Sequence, residues 1–162
     1  MYLLEAIIAQ EKTLDGALLG FRAARVVPLS QGLCLVPMIG HLLQELEIRF
    51  QGSSKVTNPD VQQFSASLYP QFERLLVGVD KFARQLSLRG RIAYVEATFT
   101  GGYGGHATLA WEKGEIVEGP GDDINTVLRR FGVVKHPGLD EFDTIGLGRH
   151  RSTREWVADA LA

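Results

Sequence analysis

A carboxylate and an imidazole flank a glycine-rich stretch in YVEATFTGGYGGHATLAW, residues 94–111: Glu96 precedes it and His106 follows it. A carboxylate beside an imidazole orients the ring and raises its pKa, the arrangement that general acid–base chemistry uses. Whether the two meet depends on how the flanking apolar segments pair. With Ala97 opposite Ala107, Val95 opposite Leu109 and Ala93 opposite Trp111, the apolar residues share one face. The reverse face then carries Glu96, Thr98, His106 and Thr108, with Glu96 and His106 as diagonal neighbours. Tyr103 stands at the tip of the same hairpin. The plainer reading is a solvated polar face, since alternation in an antiparallel sheet puts polar groups there anyway. No nucleophile or electrophile accompanies the pair, so no catalytic residue is assigned.

The remaining polar clusters point to surface chemistry. GGYGG, residues 101–105, joins two strands, whereas a phosphate-binding glycine loop runs from a strand into a helix. Its glycines are expected to supply positive φ angles for a wide hairpin. Asp140, Glu141 and Asp143 have the oxygen ligands a hard cation needs but lack the periodicity of a calcium loop. A solvated loop, or ion pairs with Arg149, Arg151 and Arg154 that contribute little each if exposed, is the expectation for them. His41 and His136 stand alone, and Cys34 reads as a small core residue in an apolar strand. The sequence has no Walker loop, no Gly-x-Ser-x-Gly elbow, no His-Glu-x-x-His pair and no zinc-spaced Cys/His set. Neither a cofactor nor a metal is expected.

These residues need elements to hold them. Leu3, Leu4, Ile7 and Ile8, continued by Leu14 and Leu18, follow helical spacing and predict an N-terminal helix, though a buried strand would also tolerate LLEAIIA. Residues 25–38 predict an edge hairpin around Ser30-Gln31-Gly32, with Leu29 opposite Leu33 and Val27 opposite Leu35. A helix follows over 39–50, then a short polar linker over 51–58. Asn58-Pro59 opens a second helical stretch, interrupted at Pro70, whose stripe runs from Val61 to Leu86. Strands are expected over 91–100, 105–112 and 115–119, with Lys113-Gly114 as a two-residue turn pairing Trp111 with Ile116 and Ala110 with Val117. Asp122 or Asp123 caps a short helix ended by Gly132. Ser152 and Glu155 form a capping box for a last helix that turns Trp156, Val157, Ala160 and Leu161 inward. The fold class is therefore α+β: an antiparallel sheet of about five strands with helices on one face.

The chain of 162 residues suits one globular domain over 1–162. Its 17 basic and 19 acidic side chains give a net charge of −2, against a dedicated nucleic-acid binder. The apolar N-terminal run is broken by Glu5, far short of a membrane span, and lacks the basic start of a secretory signal. With one cysteine, a cytoplasmic protein without membrane contact is expected.

At YVEATFTGGYGGHATLAW, INTVLRRFGV and DEFDTIGLGRHRSTREW the chain resembles small bacterial immunity proteins of contact-dependent and polymorphic toxin systems. The likeness is one of type, and no functional residue is carried over from it. It implies a cytoplasmic inhibitor that binds one toxin and blocks its active site. The expected contact surface is the Gly101–Gly105 tip together with residues 140–151, with Tyr103 and Arg149 as anchors and Asp140, Glu141 and Arg151 around them. A small enzyme or ligand-binding protein built on Glu96, Thr98 and His106 is the alternative, and a homodimer through the 25–38 edge is a further partner option.

Overall fold

Nine residues at the N-terminus, Tyr2–Gln10, form a strand, β1, at the centre of the sheet. The computed structural model describes residues 1–50 and 72–161. The helix expected here is not formed. Leu4, Ala6 and Ile8 enter one core while Ile7 and Ala9 enter another. A strand buried on both faces reads as a continuous apolar run, which also satisfies helical spacing.

The other strands are β2 (Val27–Pro28), β3 (Leu33–Pro37), β4 (Ile92–Thr100), β5 (Tyr103–Glu112) and β6 (Glu115–Gly121). They form one antiparallel six-stranded sheet in the order β2-β3-β1-β4-β5-β6. The 25–38 hairpin forms in the expected register: Val27 pairs with Leu35, and Leu29 N–H donates to Leu33 O at 2.8 Å. Gln31 and Gly32 take left-handed φ of 60° and 76°. Only β2 lies at the edge, however, because β3 pairs with β1 on its other side. This leaves a two-residue edge for the self-association expected there.

The β4–β5 register is shifted by one residue from the expected one. Glu96 pairs with Ala107, Ala97 with His106 and Ile92 with Trp111. The cause lies in the turn. Gly101 and Gly102, at φ 56° and 85°, close a two-residue hairpin of the type I′ kind, with Thr100 paired to Tyr103. Tyr103, Gly104 and Gly105 therefore belong to β5 and not to the loop. Lys113-Gly114 makes the expected second turn and pairs Trp111 with Ile116, but a bulge sets Ala110 against Glu118 instead of Val117.

Helical elements cover both faces of the sheet instead of one. After the short α1 (Glu11–Leu14), α2 (Gly40–Phe50) and α3 (Val77–Leu86) lay Leu42, Leu46, Val79 and Phe82 on Ile7, Tyr94, Leu109 and Trp111. The expected linker 51–58, the Asn58-Pro59 cap and the stripe from Val61 through Pro70 lie outside the described residues. Phe72 and Leu75 are buried but precede the α3 helix.

On the opposite face α4 (Ile124–Arg130), α5 (Glu141–Thr144) and two 3-10 turns, Leu147–Arg149 and Thr153–Asp159, pack Ile124, Leu128, Leu147 and Trp156 on Ile8, Leu35 and Val95. Asp123 caps α4, and both arms of the Ser152/Glu155 capping box are present. The last element is a 3-10 helix, whose tighter turn changes which residues face inward. Trp156 is buried, yet Leu161 is 59% exposed.

Candidate functional site

The register decides the fate of the Glu96–His106 pair. Side chains alternate across β4 and β5, so Glu96 lies on the α2/α3 face and His106 on the α4/α5 face. The two are not neighbours, and each has partners of its own. Phe99 and Ala97, not Glu96, share a face with His106 and Thr108.

Glu96 is 5% exposed and accepts three hydrogen bonds: from Tyr94 Oη at 2.6 Å, Glu73 N at 2.7 Å and Arg74 N at 2.8 Å. Its cross-strand partner is a second buried carboxylate, Glu5, also 5% exposed. Arg74 Nε lies 3.4 Å from Glu5 Oε2. Burial raises the Glu5 pKa from 4.5 to about 7, with the Arg74 charge opposing and the Glu96 charge reinforcing. Burial also raises Glu96, against the bonds from Tyr94 and the two backbone N–H groups. The arrangement fastens residues 73–74 to the sheet and supplies no nucleophile. Glu5 was not singled out from the sequence, though one carboxylate inside LLEAIIA was the signal that could have found it.

His106 Nδ1 accepts the Ile124 N–H at 2.9 Å, and so caps the first turn of α4. Burial lowers its pKa, against the charges of Asp123, Asp140 and Asp122. The neutral ring, with its proton on Nε2, is the form that keeps the Ile124 bond. It is the centre of an aromatic group: Phe142 stacks on it at 5.8 Å and Phe99 meets it edge-on at 5.3 Å. Tyr2 extends the group to Phe142 at 5.7 Å and Phe99 at 6.4 Å. Phe99 is 38% exposed. Phe142 thus adjoins the root of the hairpin and not its tip.

Beside this group, Thr98, Glu96, Gly104, Gly105, His106 and Asp122 line an open concavity of about 840 Å³. Tyr103 projects beyond it and is 84% exposed. The strand beneath tolerates only glycine at 104. Its φ is 147°, and a Cβ there would fall 1.7 Å from Thr98 O.

Of the two expectations for the acidic loop, Asp140 and Asp143 follow the solvated one, both being exposed, while Glu141 and Arg149 find other partners. Glu141 is buried and meets Arg129 at 3.3 Å. Asp140 accepts from Asp143 N at 2.8 Å and from Asn125 Nδ2 at 3.1 Å. Arg149 pairs with Asp159 at 3.0 Å, with its guanidinium 5.0 Å over the Trp156 ring. Arg151 contributes its backbone N–H to the Glu155 carboxylate at 2.9 Å. Cys34 is a buried residue of β3, its thiol pushed up by burial. Among the described residues no group of three His, Cys, Asp or Glu side chains is placed to hold a metal ion. No helix there is long and apolar enough to cross a membrane. Compared with protein-family models, curated proteins and solved structures, the chain matches none.

Proposed function

We propose that this chain is a non-catalytic protein-binding module of the immunity type, a cytoplasmic inhibitor that docks on one bacterial toxin and covers its active site. The observation that carries this reading is the hairpin tip. Tyr103 presents most of its ring to solvent, 84% exposed, on a hairpin fixed by the Gly101-Gly102 turn. A tyrosine, with only two side-chain torsions, loses little conformational entropy on docking and is a usual anchor of interfaces. The half-buried aromatic group at the hairpin root extends the surface toward residues 140–143. Arg149 is the weaker of the two expected anchors, because its guanidinium is already engaged with Asp159 and Trp156.

An enzyme built on Glu96 and His106 has less support, since these side chains lie on opposite faces and each is spent on a structural bond. The test is affinity capture with the tagged chain in its native host. A stoichiometric protein partner is expected, with its yield cut at least tenfold by Tyr103→Ala. Recovery of the chain alone, at unchanged mass on sizing, would overturn the proposal.

A further inference from the structure

We infer that the aromatic face at the root of the hairpin, formed by Phe99, His106, Phe142 and Tyr2, seats an arginine side chain of the partner protein. The inference rests on the protein-binding reading and specifies its chemistry. Phe99 and Phe142 both meet His106, Tyr2 bridges the two phenyl rings, and Phe99 keeps 38% of its surface open. An apolar patch of this kind would accept many occupants; the charge around it selects among them.

Asp122, Asp140 and Asp143 are exposed at its margin. Asp122 and Asp140 lie close enough to act on the His106 ring, as Asp143 does on the Tyr2 hydroxyl. His106 holds the Ile124 N–H and brings no positive charge. Arg129, the nearby cation, is bound to Glu141 and Thr126. An anionic segment would be repelled here, and a neutral apolar one would strip water from the aspartates without replacing it. A guanidinium meets both demands: its plane stacks on aromatic rings and its edge donates paired hydrogen bonds to carboxylates. Lysine satisfies the charge alone, because its ammonium is compact and strongly hydrated.

The test titrates the isotopically labelled full chain with a short arginine peptide and, in parallel, its citrulline and lysine counterparts. Saturable amide shifts at Phe99, His106 and Phe142 are expected with arginine, roughly fivefold weaker with lysine and weaker still with citrulline. The double variant Asp122→Asn/Asp143→Asn leaves the Asp123 and Asp140 helix caps in place, so it should melt as the parent does and bind arginine roughly fivefold more weakly. Shifts confined to other regions, or equal affinity for citrulline, would overturn the inference. The protein-binding reading fails separately, by the absence of a captured partner. A captured partner indifferent to the Asp122/Asp143 variant would remove the arginine seat and leave that reading standing.

Discussion

Glu5 carries a carboxylate into the middle of an apolar strand, and the consequence is measurable as a pH dependence. Its folded pKa of about 7 lies above the usual 4.5, so between these values the folded chain holds a proton that the unfolded chain has lost. Stability from this group is complete below about 4.5, declines as pH rises toward 7, and is constant beyond. His106 has the opposite sign: its pKa is lowered, so its contribution is lost as pH falls below the usual 6.5. The two act in overlapping windows, and only a difference measurement separates them. Glu5→Gln is uncharged throughout. Relative to the parent, it should gain roughly 1–3 kcal/mol in unfolding free energy between pH 5 and pH 8. Urea unfolding of both proteins at the two pH values checks this. An unchanged difference across that interval would mean that the carboxylate is not desolvated. At Glu96 burial raises the pKa as well, and three donors to the carboxylate oppose it where Glu5 has the Arg74 charge.

At the scale of elements, the β4–β5 hairpin is set by backbone chemistry more than by burial. Gly102, at φ 85°, has nothing within reach of a Cβ, whereas a Cβ at Gly104 would strike Thr98 O. Gly102→Ala should therefore cost about 1 kcal/mol, the strain of a left-handed residue alone. Gly104→Ala should cost roughly 3 kcal/mol or more, since the β4 and β5 backbones must part. Melting temperatures of the two variants give the ratio, and equal losses would refute the assigned register. Elements set by local chemistry were legible in the sequence: the Lys113-Gly114 turn, the 25–38 pairing, a helix cap at Asp122 or Asp123 and the Ser152/Glu155 box. Those whose reading depended on which face is wet were not. The expected register assumed one solvated face, and with both faces buried the alternation of Ala97, Val95 and Ala93 no longer chooses a partner set. The same cause turned β1 into an apparent helix. The site inherited the error, because one residue of slip moved His106 across the sheet from Glu96. The exposure of Tyr103 beside a glycine turn does not depend on register, whereas the aspartates around His106 could not be placed there without the fold.

The whole molecule is one sheet with a separate apolar core on each side, and its two tryptophans divide between them. Trp111 is buried beneath α2 and α3, and Trp156 beneath α4 and the C-terminal turns. β1 and β4 contribute to both cores, so neither can be lost while the other keeps its floor. The C-terminal layer is also tied to the central strand: Leu3 N–H donates to Arg151 O at 2.8 Å, and Glu5 N–H to Thr153 Oγ1 at 3.0 Å. Cooperative unfolding of both layers follows. Trp156→Phe leaves Trp111 as the reporter of the first core, and Trp111→Phe leaves Trp156 as the reporter of the second. In each variant the fluorescence transition in urea should coincide with the far-ultraviolet dichroism transition. Trp111→Phe should be the less stable variant, because it strands part of the Asp80 carboxylate that the indole N–H meets at 3.3 Å. Trp156 Nε1 has no such partner among the described residues, so its replacement strands no carboxylate, and phenylalanine keeps a ring beneath Arg149. A Trp156 signal that changed at lower urea than the dichroism would show the α4 layer detaching by itself. The aromatic surface beside His106 would then rest on a layer able to open while the sheet stays folded.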